Sequence, residues 1–171
     1  GRDWSSDVCS SDLTADICVR TELRPDAIGF SPLEQGALAK AQGIKRIDLI
    51  YSQQISLDPT RPTVTLFARP IDKEDPGSVL PLTDDFLPTE ILTDSDAIPI
   101  WVSEAMVDLY DFQVGKQVTL PISQISHDYI VAGVWRDYGR QFGAIQMRLS
   151  DYQIVSGEFH VNEAAIWLNE D

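Results

Sequence analysis

Histidine and cysteine are nearly absent from this 171-residue chain, with two of each, and its 13 Lys and Arg are outnumbered by 27 Asp and Glu. His127 and His160 stand alone, with no HExxH pair and no cysteine set at zinc spacing, so no metal or catalytic role is assigned to them. No Gly-x-Ser-x-Gly elbow occurs, which leaves a serine hydrolase of that type without its nucleophile. Gly115-Lys116 imitates a phosphate loop, but Gln117 stands where Ser or Thr is required and Tyr110 where the leading glycine belongs. A net charge of −14 excludes nucleic acid, whose phosphates need clustered cations, and an anionic membrane surface for the same reason. Nor does any apolar run approach the roughly 18 residues of a spanning helix. Cofactors: none is expected.

Residues 3–13, DWSSDVCSSDL, have neither helical nor strand periodicity and resemble one reading frame of a sequencing-library adaptor, so residues 1–13 are set aside as a scar. A Ser/Asp-rich tail would have the same consequence for the fold. Without that segment, which carries one Arg and three Asp, the charge is −12. Cys9 leaves with it, and Cys18, in the apolar run Ile17-Cys18-Val19, is expected to be a lone buried thiol with no internal disulfide.

The remainder is long enough for one domain or two small subdomains. Ala15 to Val19 reads as a strand. Ser31-Pro32-Leu33-Glu34 is a capping box with proline in the first turn, and Leu33, Ala37, Leu38 and Ala41 share the face of a helix that Gly43 can end. Ile44 to Leu57 and Val64 to Ile71 read as strands joined by the turn Asp58-Pro59-Thr60-Arg61-Pro62. Asp72 to Asp96, rich in Pro, Gly, Asp and Thr, reads as a loop-rich crossover. Next come a strand Ile98 to Val102, a helix capped by Ser103, and a strand Gln117 to Ile122. Tyr129 to Trp135 and Ala144 to Leu149 are further strands. A second capping box at Ser150 starts a helix that Gly157 stops, and Val161 to Leu168 is the last strand. Helical pieces mixed with antiparallel hairpins make an α+β fold.

In order along the chain stand Val102-Ser103-Glu104, Val114-Gly115 with Val118 and Leu120, Val131 to Val134, Arg136-Asp137-Tyr138-Gly139, Gly143 to Ile145, Asp151-Tyr152 and Ala165 to Leu168. This succession, covering about half the chain, resembles the extracytoplasmic domain of the large FtsX-like, MacB-like ABC transporter permeases. The resemblance implies a split ferredoxin-like βαβ porter subdomain (residues 14–75 and 141–171) around a crossover and smaller β-rich subdomain (76–140). It also implies that a closing helix and strand, and membrane helices beyond both ends, lie outside the given sequence. Such a domain is non-catalytic. It couples ATP hydrolysis by a cytoplasmic ABC ATPase, through the permease's own membrane helices, to export or extraction of a lipid, lipoprotein or peptide on the periplasmic side of a bacterial inner membrane. An adaptor or lipoprotein is the implied periplasmic partner. A free-standing periplasmic hydrolase and a secreted binding or adhesion module are the competing classes.

The acidic pairs Asp84-Asp85 and Asp94 with Asp96, and Asp72 with Glu74 and Asp75, read as solvated loop charge rather than a dyad or calcium site. The connection from Trp135 to Phe142 differs, because Trp135, Tyr138 and Phe142 stand beside Arg136, Asp137 and Arg140, a mixture enriched at protein interfaces. It is the candidate partner surface. The competing reading pairs Arg136 with Asp137 and packs the aromatics into a subdomain junction.

Overall fold

The computed structural model describes residues 4–7, 15–21, 31–137 and 142–169. The chain forms two compact units, one from residues 1–52 and 158–171 and the other from 53–157. The chain passes between them after Ser52, within a strand, and again after Gly157.

In the first unit the strands are β1 (Trp4–Asp7), β2 (Ile17–Thr21), β3 (Ile44–Ile55) through Ser52, and β10 (Glu163–Leu168). Their order is β1-β2-β10-β3, all neighbours antiparallel. β1 forms in a segment without strand periodicity, as a short ribbon can by backbone pairing alone. β10 is central: Ala164 and Ala165 oppose Val19 and Cys18 on one side and Leu49 and Asp48 on the other, and both alanines are buried. Two small side chains in the middle row let flanking residues close over them. Asp48 is buried and accepts two hydrogen bonds from the Arg46 guanidinium, at 3.1 and 2.7 Å, while that guanidinium lies 4.5 Å above the Trp167 ring. A buried carboxylate needs such a partner. Asn162 joins the strand ends, taking the Ser52 N–H at 2.9 Å and donating to the Ser52 carbonyl at 2.7 Å. Cys18 is buried as expected but disulfide-bonded, which corrects the reading of it as a lone thiol; its Sγ lies 3.0 Å from Oε1 of the buried Glu163.

Helix α1 (Pro32–Ala39) has both bonds of its capping box, yet none of its residues is buried and Leu33 is 85% exposed. The apolar face anticipated from Leu33, Ala37 and Leu38 is therefore not a core face in this unit. Gly43, at φ +84°, turns the chain into β3 after the helix has already ended.

The second unit is built on the sheet order β4-β9-β6-β8-β5, with β7 also on β8. Its elements are β4 (Val64–Arg69), β5 (Leu82–Phe86), α2 (Thr89–Asp94), β6 (Ile98–Ser103), α3 (Glu104–Tyr110), β7 (Gln117–Val118), β8 (Tyr129–Trp135), β9 (Ala144–Arg148) and α4 (Leu149–Ser156). The end of β3 leads to β4 through the expected turn, where Asp58 accepts the Thr60 N–H at 2.9 Å. β4 and β9 are parallel, β6 is antiparallel to β9 and parallel to β8. All seven residues of β8 are buried, which is why Tyr129-Ile-Val-Ala-Gly-Val-Trp135 reads as a continuous apolar run rather than an alternating one. Across the sheet Leu66, Ile145 and Val102 fall in register, as do Ala68, Met147 and Ile100, and all six are buried.

Three expectations change in this unit. Residues 72–96 are not only a crossover, since β5 pairs with β8 and α2 follows. The strand expected over Gln117 to Ile122 stops at Val118. The second capping box does not form: α4 begins one residue before Ser150, behind Arg148, whose guanidinium binds Asp151 at 2.8 and 3.1 Å. Gly157, at φ +72°, ends α4 as expected.

Candidate functional site

The stems of the connection between β8 and β9 are held by named contacts. Trp135, the last residue of β8, is in register with Ser103 of β6 and Leu82 of β5, and the next amide, of Arg136, donates to the Pro81 carbonyl at 3.1 Å. On the returning side Gly143 adopts φ +99°, and a Cβ there would lie 2.5 Å from Met106 Sδ, so the backbone meets α3 directly. The Ala144 N–H then donates to Ser103 Oγ at 3.0 Å. Ser103 thus stands beside Trp135 and binds Ala144. It is buried, and although it occupies the cap position of α3 its side chain makes no cap bond to the helix. The serine is an acceptor, as a cap would be, but its donor is Ala144 rather than an amide of the helix.

Among the candidate surface residues, Trp135 is only 4% exposed and packs inside the sheet, so it cannot serve as an exposed anchor. Arg136 is exposed, with Nε 3.7 Å from Glu104 Oε1, both side chains being 58% exposed. That ion pair reaches α3 rather than Asp137. Asp137 is half-buried. Phe142 is 54% exposed. Tyr138 and Arg140 lie outside the described residues.

Elsewhere in this unit β6 and β9 carry a buried polar pair that periodicity did not reveal. Trp101 and Gln146 are register partners, and Trp101 Nε1 and Gln146 Oε1 have no hydrogen-bond partner among the described residues. The indole sits against Gly133 of β8, where a Cβ would come within 3.1 Å of Trp101 Cδ1 and 3.2 Å of Phe86 Cβ. A glycine inside an apolar strand was the available signal, since such a position often marks a close approach.

Titration adds little reactive character. The Asp58 carboxyl is held below its ordinary range by the backbone and hydroxyl hydrogen bonds of Thr60, and burial pushes the Tyr129 phenol upward. His160 Nδ1 lies 3.8 Å from Glu158 Oε2, a local contact. No group of three or more His, Cys, Asp or Glu among the described residues could hold a metal ion. No helix among them is long and apolar enough to cross a membrane.

This mixed α+β fold is similar to that of two solved extracytoplasmic domains. The chain is similar to the extracellular domain of the noncanonic ABC-type transporter YknZ from Gram-positive bacteria, with a TM-score of 0.57 and 13% identity over 86% of this chain and 76% of that one. It is also similar to the periplasmic region of MacB from Actinobacillus actinomycetemcomitans, with a TM-score of 0.53 and 17% identity over 80% of this chain. The match spans 63% of that MacB region. No protein-family model and no curated protein sequence matches the chain.

Proposed function

We propose that this chain is a non-catalytic extracytoplasmic domain of an ABC transporter permease. It transmits movement driven by a cytoplasmic ATPase, through the permease's membrane helices, to export or extraction of a lipid, lipoprotein or peptide. The observation that carries the reading is the likeness to the YknZ extracellular domain over 86% of the chain. The ordered motifs from Val102 to Leu168 support it independently of the fold. Within it, the connection after β8 is the surface for an adaptor or lipoprotein. Arg136 and Phe142 are its exposed described members, Tyr138 and Arg140 complete it from the sequence, and buried Trp135 anchors its stem.

The test uses the full-length permease. Arg140→Ala should reduce transport or adaptor binding several-fold while lowering the domain's stability by less than about 1 kcal/mol, the range of a surface change. Phe142→Ala should behave alike. Unchanged transport in both variants would remove the connection from the mechanism. A gene without hydrophobic spanning segments beside this domain would overturn the transporter reading and favour a free-standing hydrolase or binding module.

A further inference from the structure

Thr119, Leu120 and Ile122 continue the strand-like sequence of β7, yet pairing stops at Val118. The N–H groups of Thr119 and Leu120 donate to no acceptor among the described residues. Ile122 N–H turns back to the Leu120 carbonyl at 2.9 Å, so the chain leaves the sheet immediately afterwards. Beside this unpaired stretch is a cleft of about 390 Å³, whose other wall is Ser56 and Leu57, the two residues that follow β3. That size falls within the usual range of ligand clefts.

The lining selects a ligand class. Leu57, Leu120 and Pro121 supply an aliphatic wall, Leu120 being buried at its base, while Ser56, Thr119 and Gln124 offer hydroxyl and amide groups exposed to solvent. No charged side chain lines the cleft. The −14 charge of the chain disfavours an anion, and without a carboxylate in the lining a cation finds no ligand. No aromatic ring is present on which a sugar face could stack. The exposed Thr119 N–H beside an interrupted strand suits a backbone that extends the ladder, and an aliphatic wall suits one of its side chains.

We propose that this cleft binds an extended, uncharged peptide segment, whose backbone pairs with the exposed Thr119 and whose aliphatic side chain rests on Leu57, Leu120 and Pro121. The site is separate from the connection after β8 and needs only this chain. Its test is therefore independent of the transporter reading.

The probe is acetyl-Ala-Leu-Thr-amide, titrated into the 15N-labelled chain up to about 20 mM, with acetyl-Ala-Asp-Thr-amide and maltose as comparison ligands. A saturable shift confined to residues 56–57 and 117–126, with Kd on the order of 1 mM, is expected. The Asp-containing probe should bind at least about fivefold more weakly, because its carboxylate enters a cleft without cations in an acidic protein. Thr119→Pro removes one pairing N–H at an exposed position and should weaken the Leu probe about fivefold or more. Gln124→Trp, which fills the cleft from its rim, should do the same and serves if Thr119→Pro disturbs the spectrum elsewhere. Absence of a saturable local shift overturns the proposal. So do equal binding of the Asp probe, tighter binding of maltose, or unchanged affinity in both variants.

Discussion

Helices α1 and α3 both begin at a serine followed within three residues by a glutamate, and they reach opposite situations. In α1 the local chemistry is complete: Ser31 Oγ accepts the Glu34 N–H and Glu34 bonds back to the Ser31 N–H. Yet no residue of that helix is buried. In α3 the cap side chain gives the helix nothing, because Ser103 Oγ is engaged by Ala144, while Met106 is buried completely against Gly143. A cap says where a helix starts, and packing says what it is for. α1 is specified mainly by its ends and α3 by its neighbours.

The sharpest way to break the contrast is at Gly143. Alanine there would add a Cβ 2.5 Å from Met106 Sδ at φ +99°, combining overpacking with a disfavoured backbone conformation. A loss of about 3 kcal/mol in urea unfolding is expected, with Met106→Ala alone costing a similar amount through its cavity. In the double variant the steric part should vanish, so the two costs should be clearly less than additive. Additivity within a few tenths would show that Gly143 and Met106 do not share one packing constraint.

Ser103→Ala comes next. It leaves the Ala144 N–H buried without its acceptor, for an expected loss of about 2 kcal/mol. Because the cap bond is absent, the helix itself should retain its content by circular dichroism. If the loss is under about 0.5 kcal/mol, the hydroxyl is no more than an incidental neighbour of Ala144.

This serine also marks where sequence reasoning succeeds and where it stops. Ser103-Glu104 correctly located a helix start, but the partner that matters is 41 residues away, and periodicity carries no information at that separation. β8 was legible because burial on both faces writes itself as an uninterrupted apolar run. β5 was not, because Leu82-Thr-Asp-Asp-Phe86 has an exposed Asp pair and is held by pairing to β8 across an irregular register. The extended Gln117 to Ile122 signal was real chemistry without a strand partner past Val118. For the candidate surface, the residue types drew attention to the connection after β8, while the burial of Trp135 in the sheet depends on neighbours supplied by β5 and β6.

A smaller effect is expected at the other cap. Ser31→Ala removes the acceptor for the Glu34 N–H from a helix that has little else to hold it, and the usual cost of such a loss is about 1 kcal/mol. It should appear as faster amide exchange confined to residues 32–39, with the rest of the chain unaffected. Fraying that spreads into β3 would mean that α1 supports the sheet of its unit more than its exposure implies.

The smallest change separates apolar sequence from apolar burial. Leu33 is 85% exposed, so Leu33→Ser transfers almost no surface from a core to water and should alter stability by less than about 0.5 kcal/mol. Leucine is the better helix former, which sets the direction as a slight loss. The same substitution at Leu66, which is fully buried in β4, should cost several kcal/mol through lost apolar transfer, a cavity and an unpaired hydroxyl. Parity between the two positions would contradict the division between a helix set by its caps and a sheet set by its packing. A large loss at Leu33 alone would reveal that this face of α1 is covered in solution, and concentration-dependent sedimentation would identify a second copy of the chain as the cover.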